Sequence, residues 1–394
     1  MYSNIHMPKG FKCAGIAAGI KSGGVKDMAL ILSEVPAFVA GVFTQNQVCA
    51  APVKVCREHL KHGSARAIVM NSGIANACTG SEGMVAARDM AVEAAKAIGC
   101  QPQEIFVCST GRIGPQLPLD RIILGIGNLF AAASEGNVQE TAEAMMTTDT
   151  RPKVAVAEIQ IDGKAVKIVG FAKGAGMIQP NMATMLSFIA TDAAIEQPAL
   201  QSALKKTVDS SFNRITIDGD QSTNDTVLAL ANGASGIMPL DETSKDWNMF
   251  FQALERVCFE LAMMIVHDGE GADKFVTVNV AGAQSDAEAD LAARAVANSL
   301  LNKTAWAGEY PNWGRVMDSV GYSKAKVDED LVSIHYDDVE AVANGMRTEI
   351  AQEELIKVVS QSDFAININL HLGEGNATVY TCNCTEEYVR INVV

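Results

Sequence analysis

The chain has 394 residues, 48% of them hydrophobic and 20% charged, which is enough apolar material for two or three typical domains or one large sandwich and too much for disorder. Its formal net charge of −15 repels phosphate backbones, so nucleic acid is not an expected partner. No run of about 18 apolar residues offers a membrane span.

The first residues, Met1–Gly10, lack the cationic start and apolar core of a signal peptide. The nine cysteines are an odd number with no C-x-x-C pair, and they read as reduced, mostly buried thiols. These features give the expectation of a cytoplasmic protein.

Along the first half, Arg66–Asn71 reads as a buried strand and Met84–Ile98 as a helix with alanines and Met90 on one face, stopped by Gly99. Ile105–Ser109 is a second apolar strand, ending at Thr110-Gly111, and Asp120–Ala133 and Val138–Met146 read as helices. Val154–Gln160 and Ala165–Phe171 flank Asp162-Gly163, a hairpin signal because both turn residues tolerate positive φ.

In the second half Thr184–Thr191 reads as a strand and Ala199–Ser210 as a helix. Asp246–Val266 is the clearest amphipathic helix, with Phe250, Leu254, Val257, Leu261 and Ile265 on one stripe. Lys274–Val280 is a strand and the alanine-rich Asp286–Asn302 a helix. Phe364–Leu372 alternates, turns at Gly373–Asn376 and returns through Ala377–Cys382, with Cys382 and Cys384 alternating on one strand. Strands and helices interleave without regular βαβ spacing, so the expected class is α+β, a layered sandwich.

The chemically informative stretch is Lys173–Thr184, continuing into the apolar run that follows. Ala183 is small and precedes Thr184, so a hydroxyl attack on the Ala183 carbonyl is not blocked, and Pro180-Asn181 favours a turn just upstream. A threonine freed by such a cut carries its own base, because an α-amine titrates near about 7.7–8.0, close to working pH. That pairing is a known way of activating a weak nucleophile. Taken alone, an Ala-Thr pair opening a strand is ordinary β-propensity.

Other signals are weaker. The acids of Asp218–Asp225 lack the glycine and the final glutamate of a calcium loop and read as ordering a loop near the site. Gly125-Ile-Gly127 and Gly174-Ala-Gly176 lack the third glycine of a dinucleotide fingerprint. Six scattered histidines show no metal spacing, and no metal or cofactor is expected. His267 reads as the end of an apolar helix face.

Met177–Asp192, M-I-Q-P-N-M-A-T-M-L-S-F-I-A-T-D, resembles the self-processing signature of the ornithine acetyltransferase (glutamate N-acetyltransferase, ArgJ) family. Ala40–Asn46, Asn71–Gly80, Ser109–Gly114, Arg214–Asp225, Asp268–Lys274 and Pro311–Arg315 match the same family in order along the chain.

The resemblance implies an αββα-type sandwich cut before Thr184 into an alpha chain, residues 1–183, and a beta chain, residues 184–394. The cut pair would assemble as a heterotetramer of two alpha and two beta chains. It implies acetyl transfer from N2-acetylornithine to L-glutamate in arginine biosynthesis, with acetyl-CoA as a further donor in some members.

Residue by residue, the resemblance makes Thr184 the nucleophile and Thr110 and Gly111 the oxyanion hole, the donors an attacked carbonyl oxygen needs as it becomes negative. Thr147, with Thr148 as an alternative register, Lys173, Thr184, Glu270 and Asn392 become substrate contacts. A lysine suits the α-carboxylate that both substrates share, and a glutamate suits an ornithine ammonium.

The sequence departs from the family at Ile74, where asparagine is usual, and at Tyr310, where aspartate is usual. It also stops at Val394, where the family continues for several residues. A self-cutting amidohydrolase or aminopeptidase on the same kind of fold, and an uncut protein without activity, stand as alternatives.

Overall fold

The computed structural model describes residues 2, 4–179 and 185–393, so the expected scissile pair Ala183–Thr184 and the turn at Pro180-Asn181 lie outside the described residues. Two compact units emerge, the first from Met1–Gly174, Gln179–Asn213 and Gln221–Ile265, the second from Ala175–Ile178, Arg214–Asp220 and Val266–Val394.

In chain order the first unit holds β1 (Phe11–Ile16), β2 (Met28–Phe43), α1 (Ala51–His59), β3 (Ser64–Ile74), α2 (Gly80–Ile98), β4 (Ile105–Arg112), α3 (Leu119–Ala132) and α4 (Val138–Met145). It continues with β5 (Lys153–Ile161), β6 (Lys164–Lys173), β7 (Leu186–Thr191), α5 (Gln197–Ser210), β8 (Thr226–Ala231) and α6 (Trp247–Val266).

Its eight-stranded sheet runs β4-β3-β2-β8-β7-β6-β5, with β1 also paired to β2. The strands β3 and β4 are parallel, and parallel strands need cover on both faces. Alternation supplies it: Ala67 and Val69 join an apolar cluster with Ala87, Met90 and Ala94 of α2 and Ile122 and Ile126 of α3, while Ile68 and Met70 face Val138, Ala142 and Met145 of α4. Helix α6 lies close over β6, since a Cβ added at Gly170 would come within 2.7 Å of Val257 and 2.8 Å of Leu261. The β5–β6 turn has Asp162 and Gly163 at φ +49° and +75°, the geometry expected of the hairpin.

The second unit has β9 (Phe275–Ala283), α7 (Asp286–Asn298), α8 (Leu300–Ala307), α9 (Trp313–Gly321), β10 (Ser333–Tyr336), β11 (Val339–Ala343), β12 (Met346–Arg347), α10 (Gln352–Val359), β13 (Asp363–Asn369), β14 (Gly375–Cys382) and α11 (Glu386–Ile391). Its six-stranded sheet runs β12-β11-β10-β13-β9-β14. Val276, Val278 and Val280 of β9 and Ile366 and Ile368 of β13 turn one face onto Ala292 and Val296 of α7, Trp306 of α8 and Val358 of α10. The class is therefore α+β, with helices layered on sheets, as the interleaved pattern implies.

Three expectations need correction. Asp286–Asn302 is not one helix: Ser299 leaves helical geometry at ψ 113° and caps α8 by accepting from the Asn302 N–H at 3.3 Å. Strands β13 and β14 are not neighbours, because β9 lies between them, parallel to β13 and antiparallel to β14. Cys384 lies past the end of β14 rather than on it.

Candidate functional site

In the first unit, residues of the Asn71–Gly80 and Ser109–Gly114 motifs and Asn224 are joined at one end of the β3–β4 pair. Ser109, buried near the end of β4, donates its hydroxyl to Asn71 Oδ1 at 2.6 Å, and Asn71 Nδ2 donates to the Ile74 carbonyl at 2.9 Å. Asn224 Nδ2 donates to the carbonyls of Ala75 and Ser109, at 2.6 and 2.8 Å. Thr44, from the Ala40–Asn46 motif, donates its hydroxyl to the Ser222 carbonyl at 2.8 Å. Buried amides that satisfy two carbonyls at once hold a turn rigidly, because freeing either would leave a polar group unpaired.

Above this network Thr110 is half-buried and Gly111 exposed. Gly111 has φ +127°, and a Cβ there would overlap the Gly73 backbone, so only glycine fits. Ile74, one of the departures, places its side chain in the apolar cluster with Ala87 and Met90 and lends its carbonyl to Asn71. Tyr310 is 48% exposed and bonds through its backbone to Ala305. The Pro311–Arg315 motif is structural in its local role: Asn312 caps α9 by accepting from the Arg315 N–H at 3.2 Å.

The expected substrate contacts of the first unit cluster around a residue that the sequence reading missed. Asp149 has a side chain with no exposed surface. Its Oδ1 accepts from Lys153 Nζ and the Gly174 N–H, both at 2.7 Å. Its Oδ2 accepts from the Thr147 N–H at 2.9 Å and lies 3.9 Å from Lys173 Nζ. Burial by itself pushes this carboxyl upward, but Lys173, Lys153 and the Thr147 N–H outweigh it and hold the group well below the usual carboxylate range. Thr147, in the loop after α4, and Lys173, the last residue of β6, are thus tied to one anion, while Thr148 is exposed.

The second unit brings Glu270 and Asn392 together. Glu270, 8% exposed, accepts from Asn392 Nδ2 at 2.6 Å and donates its N–H to the Ala175 carbonyl at 2.8 Å. Helix α11 reaches it because Thr385, its N-cap, donates to the Gly271 carbonyl at 2.6 Å, and because Gly271 leaves room for the Tyr388 backbone. Gly176 abuts the Glu270 carboxylate so closely that a Cβ would overlap it.

Asp218 accepts from the N–H groups of Met177 and Ile178, at 2.5 and 2.8 Å, and from the Tyr388 hydroxyl at 3.2 Å. Asp218 therefore orders backbone at Met177 and Ile178. Burial, reinforced by Asp218, raises the Tyr388 phenol. Lys303, buried, donates to Thr381 Oγ1 and the Cys382 carbonyl, at 2.6 and 2.7 Å, and pins the end of β14. Among the described residues no cluster of histidine, cysteine, aspartate and glutamate has the makings of a metal site.

The fold and these charged, backbone-anchored groups define a class, an α+β enzyme for a small charged metabolite. The sequence matches the ArgJ family over residues 12–394, and the chain belongs to that family. It is 48% identical over 385 residues to the arginine biosynthesis bifunctional protein ArgJ of Geobacter sulfurreducens, covering 98% of each chain. The corresponding protein of Bacillus anthracis is 43% identical over 390 residues, with 99% of this chain and 96% of that one covered. The crystal structure of the arginine biosynthesis bifunctional protein of Bacillus halodurans is 40% identical, with a TM-score of 0.51, and covers 53% of this chain and 99% of that chain.

Proposed function

We propose that this chain is an acetyltransferase of arginine biosynthesis that moves an acetyl group from N2-acetylornithine to L-glutamate, working after a self-made cut between Ala183 and Thr184. Full-length membership of a family named for arginine biosynthesis carries the reading. The cut is supported by the Bacillus halodurans comparison, in which a solved chain covered almost end to end accounts for only about half of this one.

Thr184 Oγ1 attacks the acetyl carbonyl of N2-acetylornithine. As it attacks, the Oγ1 proton passes to the free α-amine of Thr184; the C–N bond breaks, the departing amine takes that proton from the resulting ammonium, and ornithine leaves an acetyl ester on the threonine. The amine of glutamate then attacks that ester, the C–O bond breaks, the threonine hydroxyl recovers its proton and N-acetylglutamate departs. In each half the carbonyl oxygen becomes negative, and Thr110 and Gly111 are the donors assigned to it. Their value lies in being fixed beforehand by Asn71 and Asn224, since donors that need no reorganisation stabilise developing charge most.

Lys173 and Thr147 take the α-carboxylate common to both substrates, and Glu270 with Asn392 takes the distal polar end. Acetyl-CoA is assigned as an additional donor, in keeping with the bifunctional name of the relatives. The working protein is placed in the cytoplasm as two alpha and two beta chains, so light scattering should give twice the 41.7 kDa chain mass.

The test begins with a denaturing gel. Two fragments are expected, one with the N-terminal sequence Thr-Met-Leu-Ser, and ornithine should be released from N2-acetylornithine beyond one equivalent per enzyme only when glutamate is present. Release that ignores glutamate would make the protein an amidohydrolase, and active material consisting of one uncut chain would overturn the threonine mechanism.

A further inference from the structure

Helix α11 touches, at two positions, the two acids that hold one short stretch of backbone. The stretch is Ala175–Ile178, which leads toward the proposed cut between Ala183 and Thr184. Asp218 takes the Met177 N–H on Oδ2 and the Ile178 N–H on Oδ1. Glu270 donates its own N–H to the Ala175 carbonyl, and its carboxylate lies so near Gly176 that a Cβ there would come within 2.4 Å of the Glu270 Cδ.

Each of these acids receives one hydrogen bond from α11. The Tyr388 hydroxyl donates to Asp218 Oδ2 at 3.2 Å, the same oxygen that takes the Met177 N–H. Asn392, the residue that closes the helix, donates to Glu270 Oε2 at 2.6 Å. Tyr388 and Asn392 stand four positions apart, about one helical turn, and so reach the two acids from one side. Burial, with Asp218, Glu270 and Asp220 as nearby negative charges, raises the Tyr388 phenol, so it keeps its proton and remains a donor.

The cut itself depends on placement. Thr184 Oγ1 adds to the Ala183 carbonyl, the C–N bond breaks as the nitrogen takes the hydroxyl proton, and water hydrolyses the ester, leaving an Ala183 carboxylate and a free Thr184 amine and hydroxyl. A misplacement of about 1 Å can slow such a step about 10²-fold. Backbone held five positions before Ala183, at Ile178, therefore narrows the paths the chain can take to the reactive geometry.

We propose that α11 is a maturation latch: bonded to Asp218 through Tyr388 and to Glu270 through Asn392, it fixes the Ala175–Ile178 backbone in the shape that the cut needs. Tyr388 is thus a positioning residue that acts through Asp218. A chain is made from its N-terminal end, and Tyr388 comes 170 positions after Asp218, so the segment exists long before the latch can close. The cut is delayed until the second unit has folded. This role rests on the self-cutting reading above. In the competing account α11 only packs within its own unit, and the cut ignores it.

The test follows the two fragments on denaturing gels during pulse-labelled cell-free synthesis of the full chain. Tyr388→Phe keeps the ring and removes one hydrogen bond to a carboxylate, and it should slow the cut about 10-fold or more. Asp218→Asn should slow it at least as much. A chain ended after Cys384 loses both contacts and should stay mostly uncut. Once matured, Tyr388→Phe should exchange acetyl groups with kcat and KM close to those of the parent, because neither Tyr388 nor Asp218 is assigned to a substrate. Circular dichroism of the same variants in a Thr184→Ala background, where every chain is uncut, shows whether they are folded at the assay temperature.

Tyr388→Phe cut at the parent rate would overturn the latch even if Asp218→Asn is slow, and so would slow cutting confined to chains that have unfolded. A parent that cuts while the variants match it refutes only the latch. A parent that never cuts refutes the self-cutting reading on which the latch depends.

Discussion

Replacing Asp149 by asparagine tests whether the anion beneath Lys173 is as central as its geometry implies. The side chains of Asp149 and Lys153 are 0% and 1% exposed, so neither charge can be rescued by water if its partner is lost. Asparagine keeps the size and one acceptor oxygen, enough for the N–H of Thr147 or of Gly174, but leaves the Lys153 ammonium buried without its counter-ion. Breaking a buried pair from one side costs about 3–5 kcal/mol. A whole domain is stable by only about 5–15 kcal/mol. At about 2–4 °C per kcal/mol for a domain of this size, the unfolding midpoint should drop by about 6–20 °C.

The double variant Asp149→Asn with Lys153→Met removes the stranded charge and should regain at least half of the loss. It should still show a raised KM for glutamate, because Lys173 and Thr147 no longer share an anchor. Circular dichroism melts and exchange kinetics on the same preparations read both effects. The direction with pH is fixed as well. The folded carboxyl is depressed, so its contribution is complete above the unfolded value near about pH 4 and fades only as pH falls toward the lower folded value. The parent and the single Asp149→Asn variant should therefore converge in stability in strong acid and separate above it. A single variant melting within about 2 °C of the parent would refute the buried-pair argument.

Gly111→Ala forces a Cβ into the Gly73 backbone at a φ of +127°, and acetylation of Thr184 measured in a single turnover should slow about 10²- to 10³-fold; an unchanged rate would remove Gly111 from the oxyanion turn. Gly176→Ala pushes a methyl against the Glu270 carboxylate and should raise KM for N2-acetylornithine about tenfold, whereas an unaltered KM would leave Glu270 without a substrate role. All nine cysteines are free, and burial pushes the thiols of Cys13 and Cys258 up to about 12. A thiol reagent at pH 8 should therefore label exposed Cys78 first and leave Cys13 and Cys258 untouched until unfolding, which peptide mapping would show.

Local chemistry was legible and long-range pairing was not. The Asp162-Gly163 hairpin, helix α2 with its stop at Gly99, and the existence of strands β3 and β4, though not their parallel pairing, all follow from turn residues and periodicity that a short window contains. Strand β2 runs sixteen residues with an irregular register around Pro36, so no clean alternation announces it. The insertion of β9 between β13 and β14 depends on pairing between distant segments, which a turn signal at Gly373–Asn376 cannot report.

The site divides in the same way. Thr110, Gly111, Thr147, Lys173, Glu270 and Asn392 were carried by motif resemblance, and the structure joins Thr147 to Lys173 and Glu270 to Asn392. Asp149 was hidden in Met-Met-Thr-Thr-Asp-Thr, where the hydroxyls suggest a helix cap. Its one clue was a lysine four residues on, Lys153. Asn71 and Asn224 lie inside matched motifs, but the contacts they make across the sheet and its loops are not readable from their neighbours.

The segment leading to the proposed cut gives these contacts a common logic. Gly174 is bound by Asp149, Ala175 by the Glu270 N–H, and Met177 and Ile178 by Asp218. The Ile178 carbonyl accepts in addition from the Ile217 N–H at 2.7 Å and the Thr216 hydroxyl at 3.1 Å. Fixing backbone costs about 1–2 kcal/mol of entropy per residue, so a loop held at four of five successive positions is held for a reason. If the bond before Thr184 opens, those anchors remain, and Lys173 keeps its place although the chain that carries it has become a free end. Among the residues that restrain this backbone, Glu270 is also assigned to a substrate, and Asp149 holds the Thr147 N–H as well as that of Gly174 and lies beside Lys173, so under this reading anchors of the first reaction also serve the second.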